Sequence, residues 1–303
     1  MKNGKRLFFS VLLLFSMMLS LSAQKTPLIA DGAKITLVAS DYTFTEGPAV
    51  DQEGNVFFTD QPNDRIIKWA VSDGSVSVYM EPSGRANGLY FDRQGNLLAC
   101  ADEKFQLWRI DPKKNVTVLV DGFEGKNLNG PNDLWVDLKG GIYFTDPFYK
   151  RDYWERTEKE IKNERVYYLT PSMEKIKIVA NDFVRPNGIV GSPDGKTLYV
   201  SDIGAKKTYS YNISEDGYLT NKQLFVDMGS DGMTLDNKGN VYLTGKGVTV
   251  FNSAGEQIQH IPIDQNWTAN VTFGGKDQKT LFITAMNSLY TLQMNVHGVT
   301  HQN

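Results

Sequence analysis

Six residues whose side chains end in oxygen recur along the chain in matching contexts: Glu46, Asn87, Asn132, Asn187, Asp231 and Asn270. Successive members are separated by 41, 45, 55, 44 and 39 residues, and no His or Cys is among them. Brought together, such a set suits a hard cation. Glu46 and Asp231 supply a formal charge of −2, which neutralises a divalent ion, and asparagine carbonyl oxygens fill further positions. Oxygen-only ligation favours calcium, magnesium or manganese over zinc or copper. Without an ion, two carboxylates held in one channel repel, and one of them takes up a proton. A local reading competes. Asn-Gly and Asp-Gly are common turn formers, and Asn87-Gly88, Asn187-Gly188 and Asp231-Gly232 fit it. Glu46-Gly47-Pro48, Asn132-Asp133 and Asn270-Val271 do not share that turn signal, whereas all six positions share the oxygen.

Each of these residues opens a repeat. The aligned segments run over 46–60, 87–102, 132–146, 187–202, 231–245 and 270–284. A period in the forties with all-strand content points to a six-bladed β-propeller, one four-stranded blade per repeat. Within a repeat a short strand meets a tight turn such as Asp51-Gln52-Glu53-Gly54 or Asp236-Asn237-Lys238-Gly239. Asp starts such a turn by bonding its own backbone, and Gly tolerates positive φ. The next strand is β-branched and aromatic, as in Val56-Phe57-Phe58, Ile142-Tyr143-Phe144 and Val241-Tyr242-Leu243. The sixth repeat is short, with only Ser288–Met294 as a clear strand after Thr284. The strand Ile35–Val38, which precedes the first repeat, is expected to become the outer strand of the last blade, closing the ring and removing an exposed edge.

In a propeller the first strand of each blade lines the central channel, so the six oxygen-bearing residues should ring the axis at one end. Loops from the second to the third strand, and loops between blades, then lie on that same face. The insertion Pro147–Glu164 is a loop of the first kind and carries Phe148, Tyr149, Tyr153 and Trp154 among many charges. It reads as a lid or substrate rim, or as a solvated loop or helix with an aromatic foot. Asp60, Asp102, Asp146 and Asp202 end their second strands on the same face, either supporting the channel residues or capping strand ends.

The remaining composition narrows the class. Lys2, Lys5 and Arg6, the apolar run Leu7–Leu21 and the small residues Ser20, Ser22 and Ala23 form a secretory signal peptide over residues 1–23, with an uncleaved anchor as the alternative. A single domain is expected over 24–303, secreted or periplasmic. The formal net charge is −3, more negative once the N-terminal cations are removed, with no basic patch of the kind nucleic acid requires. The single cysteine, Cys100, excludes an internal disulfide and sits in an apolar stretch as an inert thiol. His260, His297 and His301 lie outside the repeat starts, and neither a Ser-His-Asp arrangement nor GxSxG is found. Four Asn-x-Ser/Thr matches, at Asn115, Asn212, Asn266 and Asn270, are read as chance.

Several segments resemble the gluconolactonase, senescence-marker-protein and luciferin-regenerating-enzyme family. They are Thr45-Glu46-Gly47-Pro48, Gly130-Pro131-Asn132-Asp133-Leu134 with Tyr143-Phe144-Thr145-Asp146-Pro147, Arg185-Pro186-Asn187-Gly188-Ile189, and Ser230-Asp231-Gly232-Met233. The resemblance covers residues 35–295, and Pro131–Pro147 is similar to the microbial gluconolactonase branch. It implies a six-bladed propeller binding calcium, zinc, magnesium or manganese on its axis, with calcium the first expectation here. By that resemblance Glu46, Asn187 and Asp231 are the metal ligands, and Asn132 binds metal or substrate. Asn87 and Asn270 line the channel as further substrate contacts. The implied reaction is hydrolysis of a sugar lactone by water, with the metal as Lewis acid and Asp231 as general base. Another ester or an organophosphate on the same site is the rival enzyme reading. A non-catalytic propeller with a structural metal, binding a glycan or protein, is the rival class.

Overall fold

The computed structural model describes residues 27–299; the expected signal peptide lies outside the described residues. Twenty-four strands form six four-stranded antiparallel sheets, and the only helices among the described residues are two 3-10 turns. Five blades are built from consecutive strands. Blade 1 runs Thr45–Val50, Val56–Asp60, Arg65–Trp69 and Val76–Met80 from the axis outward. Blade 6 takes three strands from the end of the chain and its outer strand, Thr36–Ala39, from the beginning. The expected closure is therefore observed, and Thr36 faces Thr291 across the join.

Each blade follows from its residues. The turn aspartates act as expected: Asp51 Oδ1 accepts the N–H groups of Glu53 and Asn55 at 3.0 and 2.9 Å, and Asp236 Oδ1 those of Lys238 and Asn240 at 2.9 and 3.0 Å. The second strands, β-branched and aromatic in blades 1, 3 and 5 and Leu97-Leu98-Ala99-Cys100-Ala101 in blade 2, are wholly buried in these four blades, because both faces pack against neighbouring blades. The core accordingly lies between blades. Trp135, Tyr143 and Tyr168 of blade 3 pack on Ile189, Leu198, Val200 and Tyr211 of blade 4. Cys100 is fully buried in one such layer, and burial raises its thiol pKa, consistent with an inert group. No helix among the described residues is long and apolar enough to cross a membrane.

The innermost strands touch one another around the axis, and this contact explains the glycines of the repeat starts. A side chain at Gly88 would place its Cβ 2.5 Å from the Asn132 carbonyl oxygen and 2.7 Å from Asp133 Oδ1. At Gly188 it would meet the Asp231 carbonyl at 2.7 Å, and at Gly232 the Asn270 side chain at 1.9 Å. None of these three has a positive φ. The local turn reading therefore fails: they are glycines because the next blade occupies the space.

Candidate active site in the central channel

The ladder between the first two strands slips between Glu46 and Ala49, between Ala86 and Leu89, and between Pro186 and Ile189. Glu46, Asn87 and Asn187 sit in these irregularities, and such bulges re-aim a side chain away from the sheet. Asn132 and Asp231 lie just ahead of their strands, Leu134–Val136 and Met233–Leu235, while Asn270 starts its own. The structure brings all six to one ring. Gly47 abuts the Asn87 carbonyl, the Gly88 N–H donates to the Asn132 carbonyl at 2.7 Å, and Gly188 abuts Asp231. Gly232 abuts Asn270, whose Nδ2 lies 3.4 Å from Glu46 Oε2 and closes the circle.

Five of the six side chains are buried, and Asp231 is partly open at the mouth. Asp231 Oδ1 accepts Asn187 Nδ2 at 2.7 Å, and its Oδ2 accepts the indole N–H of Trp267 at 2.6 Å. Glu46 Oε2 accepts the N–H of Gly47 at 2.9 Å. A third carboxylate, Asp133, is buried beside Asn132 and accepts the N–H of Leu134 at 2.9 Å. Burial raises all three acids. Asp231 rises to about 6 and Asp133 to about 8. Glu46 moves well above the carboxylate range, through burial first and then the negative charge of Asp231.

These residues fit a hard divalent cation. The donors are all oxygen, and the acids repel one another when no ion stands between them. The side chains of Asn87 and Asn132 make no hydrogen bond among the described residues, so their amides are free for a guest. Carboxylates alone do not suffice, since no cluster of three or more His, Cys, Asp or Glu suited to a metal occurs among the described residues. Asparagine oxygens must complete the set.

The insertion after blade 3's second strand has no helix or strand, and it does reach the site. Asn187 Nδ2 donates to the Tyr149 hydroxyl at 2.8 Å, and Arg151 lies close enough to act electrostatically on Glu46 and Asp231. Trp154 is the buried foot, packed against Phe105 and Phe148 and covered by Arg156. An aromatic foot thus anchors a loop whose start lies beside the channel mouth.

The strand-end aspartates divide into two roles. Asp60 accepts the N–H groups of Thr43 and Phe44, Asp146 those of Asn129 and Gly130, and Asp202 those of Val184 and Arg185. Each thus ties down the backbone that leads into its blade's site residue. Asp102 instead faces the insertion, accepting the Tyr153 hydroxyl and pairing with Arg151 Nε at 3.3 Å.

Sequence reasoning did not single out Asp133, Arg151 or Trp267. Trp267 lies in an inter-blade loop, a class of loop expected on this face, which was the signal available for it. From the opposite end a cavity of about 110 Å³ runs up the axis, walled by Leu89, Leu134, Ile189, Met233 and Val271, and reaches Asp133 and Asn270.

The fold and the channel define a six-bladed propeller with an acidic, amide-lined axis. The chain belongs to the SMP-30/Gluconolactonase/LRE-like family, whose characteristic region matches residues 44–287. It is 30% identical to a gluconolactonase of Zymomonas mobilis subsp. mobilis, over 87% of this chain and 82% of the relative. The structure of a gluconolactonase from Xanthomonas campestris superposes with a TM-score of 0.82 at 31% identity, covering 88% of this chain and 91% of the other. A calcium-binding protein of Agrobacterium tumefaciens, regucalcin, shares the fold with a TM-score of 0.74 at 19% identity, covering 86% of this chain and 94% of the other.

Proposed function

We propose that this protein is a metal-dependent lactonase that opens a sugar lactone of the gluconolactone type. The observation that carries this reading is the oxygen-bearing Glu46–Asn187–Asp231 group, with Glu46 and Asn187 buried in the channel and Asp231 open to its mouth, in a chain similar to gluconolactonases along most of its length. Glu46, Asn187 and Asp231, with Asn132, would hold one divalent ion, calcium first. When bound, the ion supplies Lewis-acid polarisation of the lactone carbonyl and charge to match the developing oxyanion.

The chain's own residues supply the rest. Asp231 is fixed at both oxygens by Asn187 and Trp267 and is open to the mouth, which suits it to take a proton from the attacking water. In the metal-free protein burial raises its carboxyl to about 6, and a bound cation would favour the ionised form that accepts a proton. The water oxygen bonds to the carbonyl carbon and the ring oxygen leaves. The proton that Asp231 accepted passes to that oxygen, giving an aldonic acid. Asn87, Asn132 and Asn270 present amides that orient the sugar hydroxyls. The chain would reach its substrate after export, with residues 1–23 removed and the propeller of 24–303 released to the periplasm or the exterior.

The test is hydrolysis of aldonolactones by the purified mature protein, followed with a pH indicator after chelation and after adding back calcium, magnesium, manganese or zinc. Turnover of a lactone that needs metal and is lost in Asp231→Ala is expected. Tight metal binding without turnover of any lactone would transfer the site to another ester, an organophosphate or a structural role.

A further inference from the structure

We infer that the rim of the channel takes an anionic substituent, so that the substrate is the lactone of a negatively charged sugar acid; this rests on the lactonase reading above. Two guanidinium groups from different blades flank one aromatic ring at the mouth. Arg151 Cζ lies 5.1 Å and Arg185 Cζ 4.9 Å from the centroid of Tyr149. The hydroxyl of that ring rests on Asn187 at the channel floor. Other groups place both residues beside the channel. Arg185 stands two residues before Asn187, and Asp202 ties its backbone N–H at 2.9 Å. Arg151 is oriented by Asp102, which the Tyr153 hydroxyl also holds.

Only one of the two charges is paired. Arg151 is paired with the carboxylate of Asp102, whereas Arg185 forms no ion pair among the described residues. Arg85, nearby over Tyr153, differs in being paired with Glu103 and bonded to the Pro62 carbonyl. An anion at this rim would meet the unpaired charge of Arg185, with Arg151 on the same ring as a second cation nearby. Guanidinium presents a planar fork that matches carboxylate or phosphate oxygens, whereas sugar hydroxyls require no charge. Because the Tyr149 hydroxyl is bonded to Asn187 and both guanidiniums lie against its ring, a substituent on a lactone held at Asn187 and Asp231 would come within their reach if it lay along Tyr149. Water adds to the lactone carbonyl and the ring oxygen leaves with a proton, so the product carries the new carboxylate on the floor and the original anion at the rim.

The experiment compares kcat/KM of the metal-loaded protein for glucono-1,5-lactone, 6-phosphogluconolactone and glucaro-1,4-lactone, at low ionic strength and at about 0.5 M salt. At least one charged lactone should be favoured by about tenfold or more, as expected for charge-assisted bonds. Which of the two it is separates phosphate from carboxylate. The preference should shrink in salt and collapse in Arg151→Gln and Arg185→Gln. Arg185 is exposed, so its variant keeps the fold even if Arg151→Gln does not. Equal or lower kcat/KM for both charged lactones, or a preference that survives Arg185→Gln, overturns the proposal. If no lactone is turned over, the lactonase reading falls, and the rim is judged by binding of glucarate against gluconate, followed by tryptophan fluorescence. Tighter glucarate binding that is lost in Arg185→Gln upholds the anionic rim, and equal binding overturns it.

Discussion

The indole N–H of Trp267 donates to Asp231 Oδ2 at 2.6 Å, while Asn187 holds Oδ1 at 2.7 Å. Both oxygens of the central carboxylate are thus oriented, one by the loop that leads into blade 6 and one by the innermost strand of blade 4. Replacing Trp267 with Phe keeps the ring and removes the donor. Metal affinity should weaken about 10–100-fold, the usual effect of losing a group that orients a ligand. Calcium titration of Trp267→Phe checks this, and unchanged affinity would show that the indole plays no part in orienting Asp231.

The three raised acids of the channel contribute a pH dependence to the metal-free protein. Glu46, Asp133 and Asp231 have folded-state pKa values above those of the unfolded chain, so the native state binds more protons between about pH 4 and 8. Their contribution to stability is present at the acid end of that window and is lost as pH rises through the folded values. The Tm of chelated protein should therefore fall from pH 5 to pH 8, and saturating calcium should remove the part due to the channel acids, leaving that of Asp102 and Asp146, which burial also raises, Asp146 to about 7. A metal-free Tm that rises over that range would contradict the assignment of these groups.

Asp102 should matter to the insertion more than to the fold. It holds both Arg151 and Tyr153, and no backbone N–H of its own blade's approach strand depends on it. In Asp102→Asn, amide hydrogen exchange should speed up over 147–163, and KM should rise about tenfold with a smaller change in kcat. An exchange pattern identical to the parent's would mean that the aromatic foot alone fixes the loop.

Gly232 offers a steric test. Its Cβ would fall 1.9 Å from Asn270, so Gly232→Ala forces that side chain off Glu46 and costs about 1–3 kcal/mol of overpacking. Gly239 has open space at its Cβ but a φ of +77°. Gly239→Ala should cost about 1–2 kcal/mol through backbone strain alone. Both variants should melt earlier, and only Gly232→Ala should also bind metal more weakly. Equal metal affinity in the two would separate Asn270 from the site.

The blades, their number, the closure by a strand read as Ile35–Val38 and observed at Thr36–Ala39, and the ring of Glu46, Asn87, Asn132, Asn187, Asp231 and Asn270 were legible in the sequence. The reason is that a propeller repeats one local unit. Strand alternation and turn chemistry act within about ten residues, and a residue at the same place in every repeat must arrive at the same radius from the axis. What has no period was not legible. Trp267 and Arg151 reach the site from loops whose paths depend on what they pack against, Arg151 on the Asp102 of another blade. Asp133 looks like a neighbour of Asn132 until the fold buries it among Glu46 and Asp231 and raises its pKa. Gly88, Gly188 and Gly232 carry the letters of a turn, but they are fixed by a clash with the adjacent blade that exists only once the ring has closed.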